Sequence, residues 1–171
     1  PSLYDYISER VDKMEFVDVY DEYVDIVYSY LRQRIKDRYL IEDIMQDTFL
    51  SIYNNLDRHN KSSSLKSWIL TITHHRMVDR LRKNTDETLS IKDDDIEKLL
   101  TGNFPSNKII VKEIFDKLEG KARTIIYGLY VLELSCKELS NILDIPVGTV
   151  KSKAYYSRQK LKNWLREGNN D

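Results

Sequence analysis

At 171 residues, with 41% hydrophobic and 32% charged side chains, the chain is long enough to bury the core of one or two compact domains. Its single cysteine, Cys136, excludes an internal disulfide framework, a CxxC redox pair and a thiolate metal knuckle, and no window approaches the roughly eighteen unbroken apolar residues of a spanning helix. The net charge of −1 conceals a polarity along the chain, with 6 cations against 12 acids over residues 1–56, 7 against 2 over 57–83, 2 against 6 over 84–107 and 12 against 8 over 108–171.

Two basic blocks separated by an acidic one suit two local contact patches better than indiscriminate binding to polyanions. Five glycines, three prolines and the lack of alternating apolar runs predict an all-α protein. The start has no basic region ahead of an apolar run, so no signal peptide is expected, and its Pro1 suggests a trimmed N-terminus. A lone thiol fits the reducing cytosol.

In chain order, Phe16, Tyr20, Tyr23, Val27, Tyr30 and Leu31 recur at helical steps and predict a helix from Phe16 to about Arg38 with an acidic outer face. The next helix, roughly Leu40 to Leu56, sets Ile41, Met45, Phe49, Ile52 and Leu56 on one side and Asp43, Gln46 and Asp47 on another. That acidic face reads either as solvated surface or as a docking ridge for a protein. Asp57 to Ser64, with Asn60, Lys61 and three serines, is a loop, one serine of which caps the following helix. That helix, Leu65 to Lys83, offers Trp68, Ile69, Ile72, Val78 and Leu81 to the core and His74, His75, Arg76, Arg80, Arg82 and Lys83 to a largely basic surface.

Periodicity fails over 84–107, an acidic linker that has room for one short helix starting near Asp93 to Asp95. Amphipathic helices at Ile109–Leu118 and Ala122–Leu132 follow. The expected domains are therefore 1–83 and 108–171.

Ser135-Cys136-Lys137-Glu138 has the spacing of a capping box and starts a helix that runs to about Leu143. Asp144-Ile145-Pro146 breaks it, because proline disfavours the helical region for its predecessor but suits the opening of a new helix. The stretch from Ile145 to Leu165 then carries Lys151, Lys153, Arg158, Lys160 and Lys162 with no carboxylate among them. Helix, short break and basic second helix make a helix-turn-helix, whose second member enters the major groove of DNA. If about five cations neutralise phosphates, log affinity falls with log salt at a slope of about −4 to −5, modest for a stand-alone binder.

Catalytic and metal constellations are weak. His75 and Asp79 share a helical face, but His74 points elsewhere and no further ligands lie nearby, so no metal is expected. Cys136 has no histidine near it in sequence and reads as a packing residue. No phosphate-cradling GxxxxGK[ST] loop, GxGxxG turn or HExxH helix is present, so neither a cofactor nor enzymatic activity is expected.

Three ordered blocks resemble the bacterial extracytoplasmic-function sigma factors, the small RNA polymerase promoter-specificity subunits with two conserved domains. Glu42-Asp43-Ile44-Met45-Gln46-Asp47-Thr48-Phe49-Leu50 looks like the family's core-polymerase-binding helix. Trp68-Ile69-Leu70-Thr71-Ile72 through Asp79-Arg80-Leu81-Arg82-Lys83 looks like the helix that contacts the promoter −10 element. Pro146-Val147-Gly148-Thr149-Val150-Lys151-Ser152-Lys153 looks like the −35 recognition helix. The resemblance covers roughly residues 16–83 and 109–166.

By that resemblance, Asp43, Gln46, Asp47 and Phe49 belong to the surface for core polymerase. Arg58, Asn60, Lys61, Ser63, Ser64, Lys66, His75, Arg76, Arg80, Arg82 and Lys83 belong to the −10 surface, where the loop captures a flipped base. Thr149, Lys151, Ser152, Lys153, Tyr155, Tyr156 and Arg158 belong to the −35 surface. The resemblance further implies an anti-sigma factor as inhibitor and a linker threaded into the polymerase RNA exit path. His75 replaces a frequent Asn, Lys153 and Tyr156 replace usual arginines, and Asp144 replaces a common glycine, so the promoter sequence does not transfer from relatives. Lys lacks the bidentate fork of Arg. The competing readings are an operator-binding regulator with an N-terminal sensor or dimerisation domain, and an adaptor for protein partners alone.

Overall fold

The computed structural model describes residues 3–59, 63–84, 113, 115–118 and 120–167, with side chains from residue 15 onward within those spans except at Asn84. All regular structure among them is helical. The chain divides into two compact units, Pro1–Leu89 and Ser90–Asp171.

The first unit contains α1 (Leu3–Arg32), α2 (Arg38–Asn55), a 3-10 turn (Leu56–Arg58) and α3 (Leu65–Asn84). Helix α1 begins well before the predicted Phe16 and ends before the predicted Arg38. Its end is set by side-chain chemistry: the Arg32 Nη1 donates to the carbonyls of Ile35 and Lys36, both at 3.0 Å, and so satisfies acceptors that continued helix would otherwise occupy. Asp37 then caps α2 by accepting from the amides of Tyr39 and Leu40. Ser64 is the capping serine of α3, accepting from Ser67 N at 3.1 Å.

The three helices close on Val27, Leu31, Ile41, Ile44, Ile52, Ile69 and Met77, all fully buried, each worth about 1.5–3 kcal/mol of transfer free energy. Tyr20, expected inside, is 41% exposed, and Val78, expected in the core, is only half-buried, whereas its neighbour Met77 is fully buried. His74 is the larger correction. It was assigned to the basic surface, yet it is buried, sharing a 2.9 Å hydrogen bond between its Nδ1 and the Tyr30 hydroxyl of α1.

The second unit contains α4 (Gly120–Tyr130), α5 (Cys136–Leu143) and α6 (Val147–Glu167). Leu139, Ile142 and Leu143 of α5 and Val150, Ala154 and Ser157 of α6 are buried on one face of each helix. Gly128 permits the approach of α4 to α5, since a Cβ there would stand 2.5 Å from Leu139 Cδ2. In the predicted helix Ile109–Leu118, Glu113, Phe115 and Asp116 are helical and Lys117 is a turn, and the rest of that segment before Phe115 is not described. The acidic linker, its short helix near Asp93 to Asp95, and Asn60 and Lys61 lie outside the described residues.

Candidate functional site

On α2, positions 46 and 47 each lie three or four residues from both 43 and 50, and the four form a stripe opposite buried Ile41, Ile44, Thr48 and Ile52. Asp43 and Gln46 are exposed and Asp47 is half-buried. Phe49, set on the apolar side by periodicity and on the contact surface by the family resemblance, is only 6% exposed and packs on Tyr20 with ring centroids 4.7 Å apart. It braces the helix from within. Its neighbour Leu50 takes the outer position at 61% exposure. The signal for Leu50 was present in the sequence, seven residues after Asp43 and four after Gln46, but an apolar side chain does not stand out as part of a polar, acidic face.

The basic residues of α3 divide by direction. His75, Arg82 and Lys83 are exposed, as are Arg58, Ser63 and Ser64 ahead of the helix, while Lys66 is half-buried. Arg76 and Arg80 turn instead toward α2: Arg76 Nη2 donates to Ser51 Oγ at 2.9 Å, and Arg80 donates to Asp47 Oδ2 from Nη2 at 2.6 Å and Nε at 3.0 Å. The hydrogen bond to Asp47 raises the Arg80 pKa above its ordinary value, helped by the charges of Asp47 and then Asp43. Beside the 3-10 turn, the His59 ring lies 4.9 Å from Trp68. Among the described residues no three His, Cys, Asp or Glu gather as a metal ion would require.

The helix-turn-helix is built from local hydrogen bonds. Glu138 N donates to Ser135 Oγ at 3.1 Å and Ser135 N to Glu138 Oε2 at 2.8 Å, which completes the capping box. Asp144 closes α5 in the left-handed region, with φ 52° and ψ 50°. Ile145 N then donates to the Ser140 carbonyl at 3.2 Å, and Ser140 Oγ donates back to the Ile145 carbonyl at 2.6 Å. These bonds hold the turn that aims α6.

On α6, Lys151, Ser152, Lys153, Tyr155, Tyr156 and Arg158 are all exposed and Thr149 is half-buried. At about 100° per residue, Ser152, Tyr155 and Tyr156 lie along the outermost line, with Lys151 and Arg158 on one flank and Lys153 on the other. Gln159, exposed on the same outer line, escaped the sequence reading because it is uncharged and sits between the cations Arg158 and Lys160. Arg158 Nη1 lies 3.4 Å from the Tyr130 hydroxyl of α4, and the Ser152 hydroxyl donates to the Thr149 carbonyl at 3.1 Å.

Comparison with known proteins decides the family. The family model Sigma-70 region 2 matches residues 19–87. The chain is 30% identical over 164 residues to the ECF RNA polymerase sigma factor SigM of Bacillus subtilis, spanning 92% of this chain and 99% of that protein. The chain belongs to the extracytoplasmic-function RNA polymerase sigma factors. Its function is that of an alternative sigma factor in transcription initiation. This sigma factor is also 30% identical over 174 residues to SigW of Bacillus subtilis, covering 93% of each chain.

Solved structures share the fold at lower identity. The sigma factor RpoE in complex with the anti-sigma factor NepR from Bartonella quintana superposes with a TM-score of 0.72 at 20% identity, over 89% of this sigma factor and 97% of that chain. CnrH in complex with the cytosolic domain of CnrY gives 0.63 at 19% identity, over 91% and 90%. No helix among the described residues of this sigma factor is long and apolar enough to cross a membrane.

Proposed function

We propose that this sigma factor docks on core RNA polymerase through the Asp43, Gln46, Asp47 and Leu50 stripe of α2 and grips promoter DNA at two points. The first unit takes the −10 element with Arg58, Ser63, Ser64 and Lys66 near the loop and His75, Arg82 and Lys83 on α3. Asn60 and Lys61 join that set on the strength of the family resemblance. The second unit takes the −35 element with Thr149, Lys151, Ser152, Lys153, Tyr155, Tyr156 and Arg158. The acidic segment 84–107 joins them. The chain acts as a binding subunit without enzymatic activity, cofactor or metal, and works in the cytoplasm.

The observation that carries the docking assignment is Leu50, an apolar side chain left 61% exposed at the C-terminal end of an acidic stripe. An apolar anchor surrounded by charged groups is the usual composition of a protein-docking patch. The cations that flank α6 suit the two phosphate backbones of a major groove, and its outermost serine and tyrosines suit base edges and the thymine methyl. Control by an anti-sigma factor follows from the complexes in which two similar folds were solved.

The test is reconstitution with core polymerase and a cognate promoter selected from random sequence. Specific initiation is expected, and Asp43→Arg or Leu50→Glu is expected to weaken polymerase binding at least tenfold while the helical content is retained. A folded chain that binds operator DNA without polymerase and supports no initiation would replace this reading by the operator-binding one.

A further inference from the structure

We propose that Arg80 acts on the polymerase-docking surface rather than on promoter DNA, as a positioning residue that holds the Asp47 carboxylate toward the partner. This rests on the docking role assigned to α2. Position along α3 alone would place Arg80 with the DNA-facing cations, between His75 and Arg82. The geometry points elsewhere. Both donors that Arg80 engages, Nε and Nη2, converge on the single oxygen Oδ2 of Asp47, at 3.0 and 2.6 Å. The other carboxylate oxygen is left to accept from a cation on the partner.

Arg80 and Asp47 are partly accessible, at 37% and 40% side-chain exposure, so the carboxylate is reachable while its rotamer is fixed. A phosphate would have to displace a carboxylate already held by two charge-assisted hydrogen bonds to claim the same donors. Fixing a side chain before association lowers the entropy lost on binding. Arg80 also offsets part of the negative charge of the ridge, which slows electrostatic steering of a basic partner. At physiological ionic strength, where screening acts within about 8 Å, the short-range ordering outweighs that loss. The effect therefore lies in the dissociation rate.

The experiment measures the affinity and dissociation rate of the full chain for core polymerase without DNA, at 0.15 M salt. Arg80→Met, which keeps the aliphatic stem and removes the fork, is expected to weaken binding about two- to fivefold through faster dissociation, with the melting temperature unchanged. Arg80→Lys is expected to recover part of the loss. In an Asp47→Asn background the same Arg80→Met change is expected to add nothing, a non-additivity that a general packing role would not produce.

Unchanged core affinity in Arg80→Met overturns the proposal, as does an equal loss with and without the Asp47 carboxylate. A defect confined to the affinity of saturated holoenzyme for a −10 single strand overturns it as well. Asp43→Arg and Leu50→Glu separate the two levels. If both leave core binding intact, the docking role of α2 falls and this proposal with it; if they weaken binding and Arg80→Met does not, only this proposal falls.

Discussion

Replacing Tyr30 by Phe removes one hydroxyl and tests how α3 is locked to α1. The ring stays in a fully buried position, so no cavity of consequence opens. What is lost is the 2.9 Å hydrogen bond to His74 Nδ1, inside a core where His74 is only 7% exposed. Leaving a buried polar atom without that partner costs about 1–3 kcal/mol, more than the net value of the bond itself, because no water replaces the hydroxyl. In a unit of this size such a loss lowers the melting temperature on the order of 10 °C.

Urea unfolding of the Tyr30→Phe chain, in a Trp164→Phe background so that Trp68 reports the first unit, gives the number directly. The double change Tyr30→Phe with His74→Leu removes both polar groups and is expected to lose less than the sum of the single changes. A Tyr30→Phe chain as stable as its parent would refute the argument that this bond anchors α3. The same tyrosine also sets an alkaline limit. Burial, opposed by the Arg34 charge, raises the Tyr30 pKa above its ordinary 10.0, so the unfolded chain releases this proton first. This contribution is full below pH 10 and declines as pH climbs beyond it, and Tyr30→Phe abolishes that part of the slope.

Three further outcomes are expected. Ser135→Ala removes the acceptor of the capping box and lowers the stability of the second unit by about 1 kcal/mol in thermal melting, whereas an unchanged melt would discount the box. Asp144→Gly relieves a left-handed backbone at φ 52° and, after the added freedom of the unfolded chain, raises stability by up to about 1 kcal/mol; a lower melting temperature contradicts this. Lys153→Ala, on the flank of α6, weakens −35 binding evenly across sequences and reduces the salt slope by about 1, while a loss confined to one base position would move Lys153 to the base-reading line.

The helix-turn-helix was legible almost residue by residue, because its determinants are local: a capping box four residues long, a proline, and a helical repeat. The outward side chains of α6 were legible for the same reason, since a basic face alternating with buried Val150, Ala154 and Ser157 admits one orientation. In the first unit the acidic stripe and the inward side of Phe49 were visible, and the structure adds that Leu50 continues the stripe as an exposed apolar side chain. Helical spacing alone turns Phe49 inward and Leu50 outward, but it does not give the exposure of either.

The sequence by itself determined the all-α class, the order of the helices, the caps and turns of the second unit, and the motif order that points to the family. Tertiary structure alone decided the partners of polar side chains separated by tens of residues. His74 looks like one of a run of surface histidines and cations until Tyr30, 44 residues away, is packed against it. Arg80 reads as one more cation of α3 until Asp47, 33 residues away, accepts from its guanidinium. Helix periodicity specifies which way a side chain leaves its own axis, and only the packing of one helix on another specifies what it meets there.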